Sequence, residues 1–380
     1  MTLDNDTSAL LIREVRRFVD QEVIPAASEL EHNDEYPHAL IAQMADLGLF
    51  GATISPAWGG LGLPMTVYAQ IVEELARGWM SLTGVVNTHL LVAYMLEQFA
   101  SESMRSELLP DMVRGVRRAA ICLTEAGAGS DLQSIETSAV REGDSYIING
   151  GKLFITNGRH GKIFAVLCKT DKAAQPAHRG ISIIMVEAGT PGFSVARDLK
   201  KLGYKGVETC ELVFQDCRVP SSNLMGREGE GFKYIMSGLE VGRINVASRA
   251  VGVAQAALEA SLTYAKQRTT FGKPIAEHQA IQLKLADMAT SVQAARLLVK
   301  NAAEKKDRGE RADLEAGMAK LFASETALTV ATECMRIHGG YGYTQDLPVE
   351  RYYRDAPLRI SGEGTNEIQR LLIARQLLRD

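Results

Sequence analysis

The chain contains 380 residues, more than one hydrophobic core usually holds, so two or three domains are expected. Hydrophobic residues make up 46% and charged residues 23% of the chain, as in ordinary globular proteins. The formal net charge of -4, from 42 basic and 46 acidic residues that are intermixed, gives no electrostatic reason to expect nucleic acid or an anionic membrane as a partner.

Targeting segments, membrane spans and metal sites are not predicted. No apolar run approaches the roughly 20 residues needed to cross a bilayer, and the acidic residues near the start are typical of neither a signal peptide nor a transit peptide. The five scattered cysteines indicate reduced thiols and a cytoplasmic location. The seven histidines never fall at metal-ligand spacing, so no metal is expected.

Residues 1–118 are predicted to form an all-helical N-terminal domain. Apolar residues recur three or four apart over 7–23, where Ile24-Pro25 is expected to end the run. The glycine-rich turn at 56–62 contains a G-x-G without a preceding strand or a third glycine, so no dinucleotide-binding fingerprint is predicted. Further helices are predicted at 37–49, 66–78, 84–100 and 104–116.

Residues 119–231 are predicted to form a middle β domain. Short alternating runs between 134 and 220 are separated by turn signals, among them Gly143-Asp144 and the hairpin dipeptide Asn149-Gly150. Because no helix lies between the runs, a parallel sheet is not expected. The pattern indicates a small antiparallel barrel or sandwich.

Residues 232–380 are predicted to form a C-terminal four-helix bundle. Four apolar stripes of helical period, at 244–265, 281–302, 314–335 and 368–378, are joined by short connections. The many alanines on these stripes allow helices to approach closely and leave surface for subunit contacts. The expected fold class is therefore α+β and multidomain, mainly α.

One tetrapeptide, Gly362-Glu363-Gly364-Thr365, places a carboxylate between two glycines just before a predicted helix. Glycine allows a positive φ or a close approach to another molecule. A glutamate on such a narrow turn suits a base that must reach a C–H bond. The same residues also fit a plain acid near a helix N-terminus, which the helix dipole favours.

A second segment, residues 121–131, lies where helix is expected to give way to strand. Its backbone amides and the hydroxyls of Thr124 and Ser130 are suited to wrap a planar, polar, anionic ligand. Taken alone, a Gly/Ser/Asp loop of this kind is equally typical of an ordinary turn.

Several motifs together resemble the FAD-dependent acyl-CoA dehydrogenase family over essentially the whole chain. That family has a helical domain, a β domain and a four-helix domain, the order that periodicity predicts here. The motifs, in chain order, are CLTEAGAGSD at 122–131, FITN at 154–157, RTTFGKPI at 268–275 with HQ at 278–279, GGYGY at 339–343 and EGT at 363–365.

The resemblance implies FAD bound between the β domain and the bundle. Phe154 would cover one flavin face, where many members carry tryptophan, and Thr156 would bond near N5. Arg336 stands where many members carry a glutamine that contacts the neighbouring FAD. Taken without the resemblance, Arg268 is also typical of a solvated cation at the end of a helix. The full implied set is Leu123, Thr124, Gly129, Ser130, Phe154 and Thr156 at the flavin, and Arg268, Phe271, Gln279, Arg336, Gly340, Thr365 and Glu367 at the remaining dinucleotide.

The resemblance also implies a reaction, α,β-desaturation of an acyl-CoA thioester. Glu363 would remove the α-proton while the β-hydrogen leaves as hydride to flavin N5. Some members carry the base one residue before Arg243, but here that residue is Gly242, which leaves Glu363 as the matching base. The implied substrate contacts are Ser130, Glu240, Arg243, Gly362 and Gly364.

Partners and alternatives follow from the same resemblance. Members usually form homotetramers, dimers of dimers, and pass electrons to electron-transferring flavoprotein. Glu240 and Arg243 also fit an i,i+3 surface ion pair. Two rival functions are enzymatic and use oxygen: an acyl-CoA oxidase, which usually has an extra C-terminal domain, and a flavin monooxygenase, which generally lacks the glutamate. A third rival is a non-enzymatic DNA-protecting or scaffold relative, which calls for a basic face.

The substrate is predicted only in outline. Gly362 stands where straight-chain members often carry a bulkier residue, which favours a short or branched acyl chain unless Met80, Leu90 or Tyr94 fills the space. No arginine occurs in residues 80–91, which argues against a second carboxylate on the acyl group.

Overall fold

The N-terminal part of the chain is helical. In the computed structural model, which describes residues 5–378, the first helix runs straight through the segment where Ile24-Pro25 was expected to end it, by way of a π-helical turn, Val19–Val23. Pro25 follows this π-helical turn, so the change of hydrogen-bond pattern coincides with the residue that lacks an N–H. The helices are α1 Asn5–Phe18, α2 Ile24–His32, α3 His38–Asp46, α4 Met65–Phe99 and α5 Glu102–Val113.

Helix α4 is the longest of the five and is broken in the middle. Trp79 has an extended backbone, with φ -157° and ψ 109°, so the helix consists of two segments close to the two that the sequence predicts. By length and mean hydropathy, α4 alone among the described helices could cross a membrane, which corrects the expectation that no segment reaches that length. Its most apolar window is 94% buried inside the protein, as in the core helix of a globular domain.

The middle part of the chain forms one seven-stranded sheet, in the order β1-β4-β2-β3-β7-β6, and β5 also pairs with β4, antiparallel and along its whole length. Two pairings, β1 with β4 and β2 with β4, are parallel, which corrects the expectation of an antiparallel sheet: the chain returns to the same direction through other strands and loops, without a crossover helix. The strands are β1 Ala119–Cys122, β2 Ser138–Glu142, β3 Ser145–Thr156, β4 Ile163–Lys169, β5 Ile181–Glu187, β6 Phe193–Asp198 and β7 Thr209–Pro220.

The dipeptide Asn149-Gly150 does not form a hairpin turn. It lies inside β3, at a register shift against β7, and Gly150 has a φ of +145°. A Cβ at Gly150 would come within 2.6 Å of the Thr137 backbone, so glycine is needed for the close approach of two strands. The hairpin turn is at Gly143-Asp144, between β2 and β3.

The C-terminal part confirms the predicted four-helix bundle. Its long helices are α6, α7, α8 and α11, and buried alanines such as Ala254, Ala295 and Ala327 lie where they pack together. A short hairpin, β8 Thr269–Thr270 with β9 Lys273–Pro274, connects α6 to α7. The helices are α6 Gly231–Gln267, α7 Gln279–Asp307, α8 Asp313–His338, α9 Val349–Asp355, α10 Leu358–Ser361 and α11 Asn366–Leu377.

A buried histidine ties α4 to the start of the sheet. The backbone N–H of Ala119 donates to Nδ1 of His89 at 3.1 Å, so the neutral ring carries its proton on Nε2, which donates to the carbonyl of Phe50 at 3.0 Å. Burial lowers the pKa of His89 from its ordinary value of 6.5 to about 4. The histidine is thus held neutral in the folded protein.

We expect His89 to make the protein acid-sensitive. Between about pH 6.5 and pH 4 the unfolded chain binds a proton that the folded chain does not, so the free energy of unfolding falls as pH falls. The slope from this residue approaches about 1.4 kcal/mol per pH unit. Urea unfolding across this range measures how the free energy of unfolding changes with pH. This pH dependence should be weaker for His89→Gln than for the parent, and His38→Gln, which replaces an exposed histidine, should behave like the parent. An equal pH dependence in all three would refute the assignment.

Candidate active site

Glu363 lies on a short loop between α10 and α11 with an unusual backbone. Its φ is +54° and that of Gly364 is +90°, in the left-handed region that residues with a Cβ rarely adopt. Thr365 then caps α11, its hydroxyl accepting from the N–H of Ile368 at 3.3 Å. The glycine-flanked turn expected around the glutamate is therefore present, and it directs the side chain toward α4 and α6.

The two oxygens of the Glu363 carboxylate have different surroundings. Oε1 accepts a hydrogen bond from Nδ2 of Asn87, on α4, at 2.6 Å. Oε2 is buried and has no hydrogen-bond partner among the described residues. Asn87, which sequence reasoning missed, could have been noticed as a polar residue within the apolar second half of α4.

Gly242 explains why the second oxygen fits against α6. A Cβ built on Gly242 would overlap Oε2 of Glu363, and it would also meet the Leu91 side chain at 3.2 Å. The glycine at this position of α6 therefore leaves room for the Glu363 carboxylate, which projects from the loop between α10 and α11.

Lys320, which sequence reasoning also missed, holds the loop that carries Glu363. It projects from α8, is fully buried, and donates to the carbonyl oxygens of Ile360 at 3.0 Å and Gly364 at 2.8 Å. Its third bond is to Oδ1 of Asn366 at 2.8 Å. Burial, and then the nearby Arg359 charge, lower the pKa of Lys320 to about 8. Below that pH the ammonium supplies three N–H groups to three acceptors.

Arg243 and Glu240 are buried and do not form the surface ion pair that their spacing allows. Nη1 of Arg243 is 3.5 Å from a carboxylate oxygen of Asp313, while its Nε and Nη1 lack a hydrogen bond among the described residues. Glu240 accepts from the N–H of Ala312 at 2.8 Å and faces Lys306 at 3.3 Å. Burial lowers the pKa of Arg243.

The loop after β1 is bound to β3 by a second buried lysine. Lys152 donates to the carbonyl of Leu123 at 3.0 Å and to Glu125 at 2.6 Å. The backbone N–H of Leu153 donates to the carbonyl of Thr124 at 2.8 Å. These bonds place Leu123 and Thr124 beside the end of β3, which carries Phe154 and Thr156.

The remaining predicted dinucleotide residues lie at the surface of the bundle. Arg268, Phe271 and Gln279 are grouped on the β8–β9 hairpin and the start of α7; Phe271 is 96% exposed at a φ of +52°. Arg336 and Gly340 are at the end of α8, where Arg336 pairs with Glu333. Glu367 is exposed in the first turn of α11.

Within residues 5–378, one group has the spacing of metal ligands. Carboxylate oxygens of Glu31 and Glu350 and a ring nitrogen of His32 lie within 4.8 Å of one another. Arg354 already donates to both carboxylates, at 2.8 Å to Oε2 of Glu31 and 2.9 Å to Oε1 of Glu350. The group is therefore an ion-pair network that joins α2 to α9.

Comparison with known proteins assigns this architecture. Family models described as the acyl-CoA dehydrogenase N-terminal, middle and C-terminal domains match residues 5–116, 120–217 and 229–378. An acyl-CoA dehydrogenase of Bacillus subtilis is 43% identical over 96% of both chains. The chain belongs to the acyl-CoA dehydrogenase family. Human mitochondrial short-chain specific acyl-CoA dehydrogenase is 40% identical over 98% of this chain and 90% of its own, and the butyryl-CoA dehydrogenase structure from Megasphaera elsdenii superposes with a TM-score of 0.96 at 38% identity over 99% of both chains.

Acyl-CoA dehydrogenases are FAD-dependent flavoproteins, and the residues present fit that cofactor. Phe154 is 61% exposed on a strand end at a φ of +62°, an aromatic face open to a planar partner. The hydroxyls of Thr124, Ser130 and Thr156 make no hydrogen bond with other described residues. A Cβ at Gly129 would meet nothing within 4 Å, so the loop leaves open space beside them.

We expect Gly242→Ala to displace the carboxylate of Glu363 while leaving the fold intact. Alanine stabilises a helix by about 1 kcal/mol relative to glycine, but its methyl group overlaps Oε2. Misplacing a reacting group by about 1 Å can lower kcat up to about a hundredfold. Stopped-flow flavin reduction by an acyl-CoA measures this. Gly317→Ala, where no atom lies closer than 3.3 Å, is the matched control and should keep the parent rate.

We expect Lys320→Met to loosen the loop that carries Glu363. Three buried acceptors lose their donor, which should lower the free energy of unfolding by roughly 2 kcal/mol and kcat by at least about tenfold. Urea unfolding and turnover, measured on the same preparations, test both effects. Lys300→Met removes an exposed lysine of α7 and should change neither; a parent-like kcat in Lys320→Met would refute the assignment.

Proposed function

We propose that the chain catalyses α,β-desaturation of a short or branched acyl-CoA thioester, with Glu363 as the base that removes the α-proton. The observation that supports this most directly is the state of its carboxylate. One oxygen is held by Asn87, and the other is buried, without a partner among the described residues, and lies against a glycine. An acid fixed on one side and free on the other fits a group that accepts a proton from a bound molecule.

Asn87 and Glu363 have separate parts in this step. The amide of Asn87 donates to Oε1 and holds the carboxylate in one orientation. Oε2 is the atom that takes the α-proton and then holds it. Since Gly242 leaves room for Oε2, protonation requires no rearrangement of α6.

The thioester carbonyl also needs a donor, because negative charge develops on its oxygen as the α-proton leaves. The backbone N–H of Glu363 has no hydrogen-bond partner among the described residues and is suited to this task. A positioned donor of this kind contributes roughly 3 kcal/mol to the transition state. FAD, when bound beside Thr124, Ser130, Phe154 and Thr156, supplies the acceptor for the β-hydrogen.

The acyl pocket is inferred from the small residues around Glu363. A Cβ at Gly362 would meet only one neighbour, the carbonyl oxygen of Leu358 at 3.1 Å, which supports free space at this position. Tyr94 is turned toward α6, its hydroxyl 3.1 Å from Ser237, and Leu91 packs against Gly238 and Gly242. The similarity to short-chain and butyryl-CoA dehydrogenases supports a short chain.

We also infer a homotetramer and electron transfer to electron-transferring flavoprotein, as the family resemblance implies. Phe271 and Tyr343, 96% and 86% exposed, are aromatic side chains of the kind that subunit contacts cover. The exposed Arg268 is suited to bind a pyrophosphate across such a contact. Light scattering coupled to gel filtration measures the assembly.

We expect Glu363→Gln to abolish reduction of the flavin by acyl-CoA while flavin content and ligand binding stay close to those of the parent. The amide is nearly the same size but cannot accept the proton. Anaerobic titration followed by flavin absorbance tests this, with Glu29→Gln, an exposed acid of α2, as control. A variant that reduces its flavin at the parent rate would show that another residue is the base.

The same reduced enzyme separates a dehydrogenase from an oxidase or a monooxygenase. After anaerobic reduction by an acyl-CoA, air is admitted and the return of flavin absorbance is recorded. A dehydrogenase should reoxidise slowly compared with its turnover in the presence of electron-transferring flavoprotein. Reoxidation by oxygen at the turnover rate would favour the oxidase.

A further inference from the structure

Two buried arginines close to Glu363 have no carboxylate of the described residues in direct contact, and the Glu363 and Asp355 charges act on Arg359 only from beyond ion-pair distance. Arg249 and Arg359 are 3% and 4% exposed, and neither has a carboxylate oxygen within 4.0 Å in the described part of the chain. Nη2 of Arg249 and Nε of Arg359 also lack a hydrogen-bond partner there. A buried guanidinium without an anion is strongly unfavourable. The pair therefore indicates that an anionic group completes this region.

Arg249 lies on the side of α6 that faces Glu363. Gly242, Asn245 and Arg249 follow one another at helical spacing on one face, and Gly242 is in contact with the Glu363 carboxylate. Nε of Arg249 donates to Oδ1 of Asn245 at 2.6 Å, so the side chain runs back along the helix toward Gly242. The guanidinium is thereby directed toward the base.

Arg359 lies on α10, four residues before Glu363, and Tyr204 connects it to α4. Its guanidinium is 5.8 Å from the centre of the Tyr204 ring, and the Tyr204 hydroxyl contacts Gly84, where any Cβ would overlap it. Gly84 is one turn before Asn87, which bonds Glu363. Burial, and then the charge of Arg249, lower the pKa of Arg359 to about 10, as expected for two guanidinium groups close together.

Tyr68 adds a third donor to the two arginines. Its hydroxyl accepts from Nδ2 of Asn245 at 2.7 Å, and the hydroxyl proton has no acceptor among the described residues. Burial raises the pKa of Tyr68, although the Arg249 charge opposes that rise, so the hydroxyl stays protonated at neutral pH. Two guanidinium groups and a hydroxyl form a donor set that matches a carboxylate.

We propose that Arg249, Arg359 and Tyr68 bind a carboxylate at the far end of the acyl chain, and that the substrates are dicarboxylyl-CoA thioesters. This inference rests on the proposed function, because the same acyl chain presents its α-carbon to Glu363. A carboxylate suits the position better than a CoA phosphate, since the donors lie deep in the fold beside the base. The lack of an arginine in residues 80–91 does not oppose a second carboxylate on the substrate, because both arginines come from other parts of the chain.

The test compares two series of thioesters matched in carbon number on the FAD-loaded enzyme. Butyryl-, valeryl- and hexanoyl-CoA form the neutral series, and succinyl-, glutaryl- and adipyl-CoA form the anionic one. We expect kcat/KM for at least one anionic member to exceed that of its neutral counterpart by about tenfold or more, as for a charge-assisted bond. Arg249→Gln and Arg359→Gln should each lower the ratio of anionic to neutral kcat/KM by at least about tenfold.

Controls separate recognition from folding. Arg351 is also a buried arginine, but its Nη2 donates to the carbonyl of Gly78 at 3.3 Å, and Arg351→Gln should keep the ratio. Arg249→Lys and Arg359→Lys retain the charge and should preserve part of the preference. Flavin content and circular dichroism identify variants that fail to fold. If the variant of one arginine fails to fold, the variant of the other arginine provides the test.

A binding measurement separates this inference from the proposed function. Calorimetry with Glu363→Gln, which is not expected to turn over, compares glutaryl-CoA with valeryl-CoA directly. Tighter binding of glutaryl-CoA by about tenfold, lost when Arg249→Gln is added, supports the carboxylate site even if no thioester reduces the flavin. If neutral thioesters reduce the flavin and bind as well as the dicarboxylyl ones, the inference is overturned and the desaturation reaction stands.

Discussion

The position of Glu363 depends on one buried ammonium group. Lys320 reaches from α8 and bonds to the backbone on both sides of the glutamate, at Ile360 and Gly364, and to the side chain of Asn366 at the start of α11. A residue with a Cβ and a positive φ persists only where its surroundings determine it strongly. The lysine provides that restraint from a position with no access to solvent.

The site is built where α4 and α6 pack together, and each helix contributes something different. Asn87 on α4 supplies a donor to one carboxylate oxygen, and Gly242 on α6 supplies space for the other. Around them lie four buried cations, Arg243, Lys320, Arg249 and Arg359. Arg249 and Arg359 have no carboxylate within 4.0 Å among the described residues, so the same packing that holds the Glu363 carboxylate also favours an anionic ligand beside them.

The proposed flavin site and the proposed base are both held in place by a buried lysine. Lys152 is buried like Lys320 and bonds to the carbonyl of Leu123 and to Glu125, which fixes the small-residue loop against β3. A rigid loop with free hydroxyls and open space meets the needs of a planar cofactor whose polar edge requires hydrogen bonds. Two buried lysines thus hold the loop of the proposed flavin site and the loop of the proposed base.

Part of the fold and of the candidate site could be predicted from the sequence. The remaining features depend on contacts between residues that are distant in the chain. Helical periodicity predicted the two helical regions and the bundle, because each stripe lies within one segment. The glycines beside Glu363 and the motif at 122–131 indicated the proposed base and the proposed flavin loop for the same reason. Asn87 and Glu363 are 276 residues apart, and Lys320 is 44 residues from Gly364, so no local pattern joins them. Asn149-Gly150 has the composition of a turn, yet pairing with β7 and the close approach of Thr137 make it part of a strand. Local composition determined which chemical groups the chain contains, whereas tertiary packing alone decided which of them share a buried space and lack a partner there.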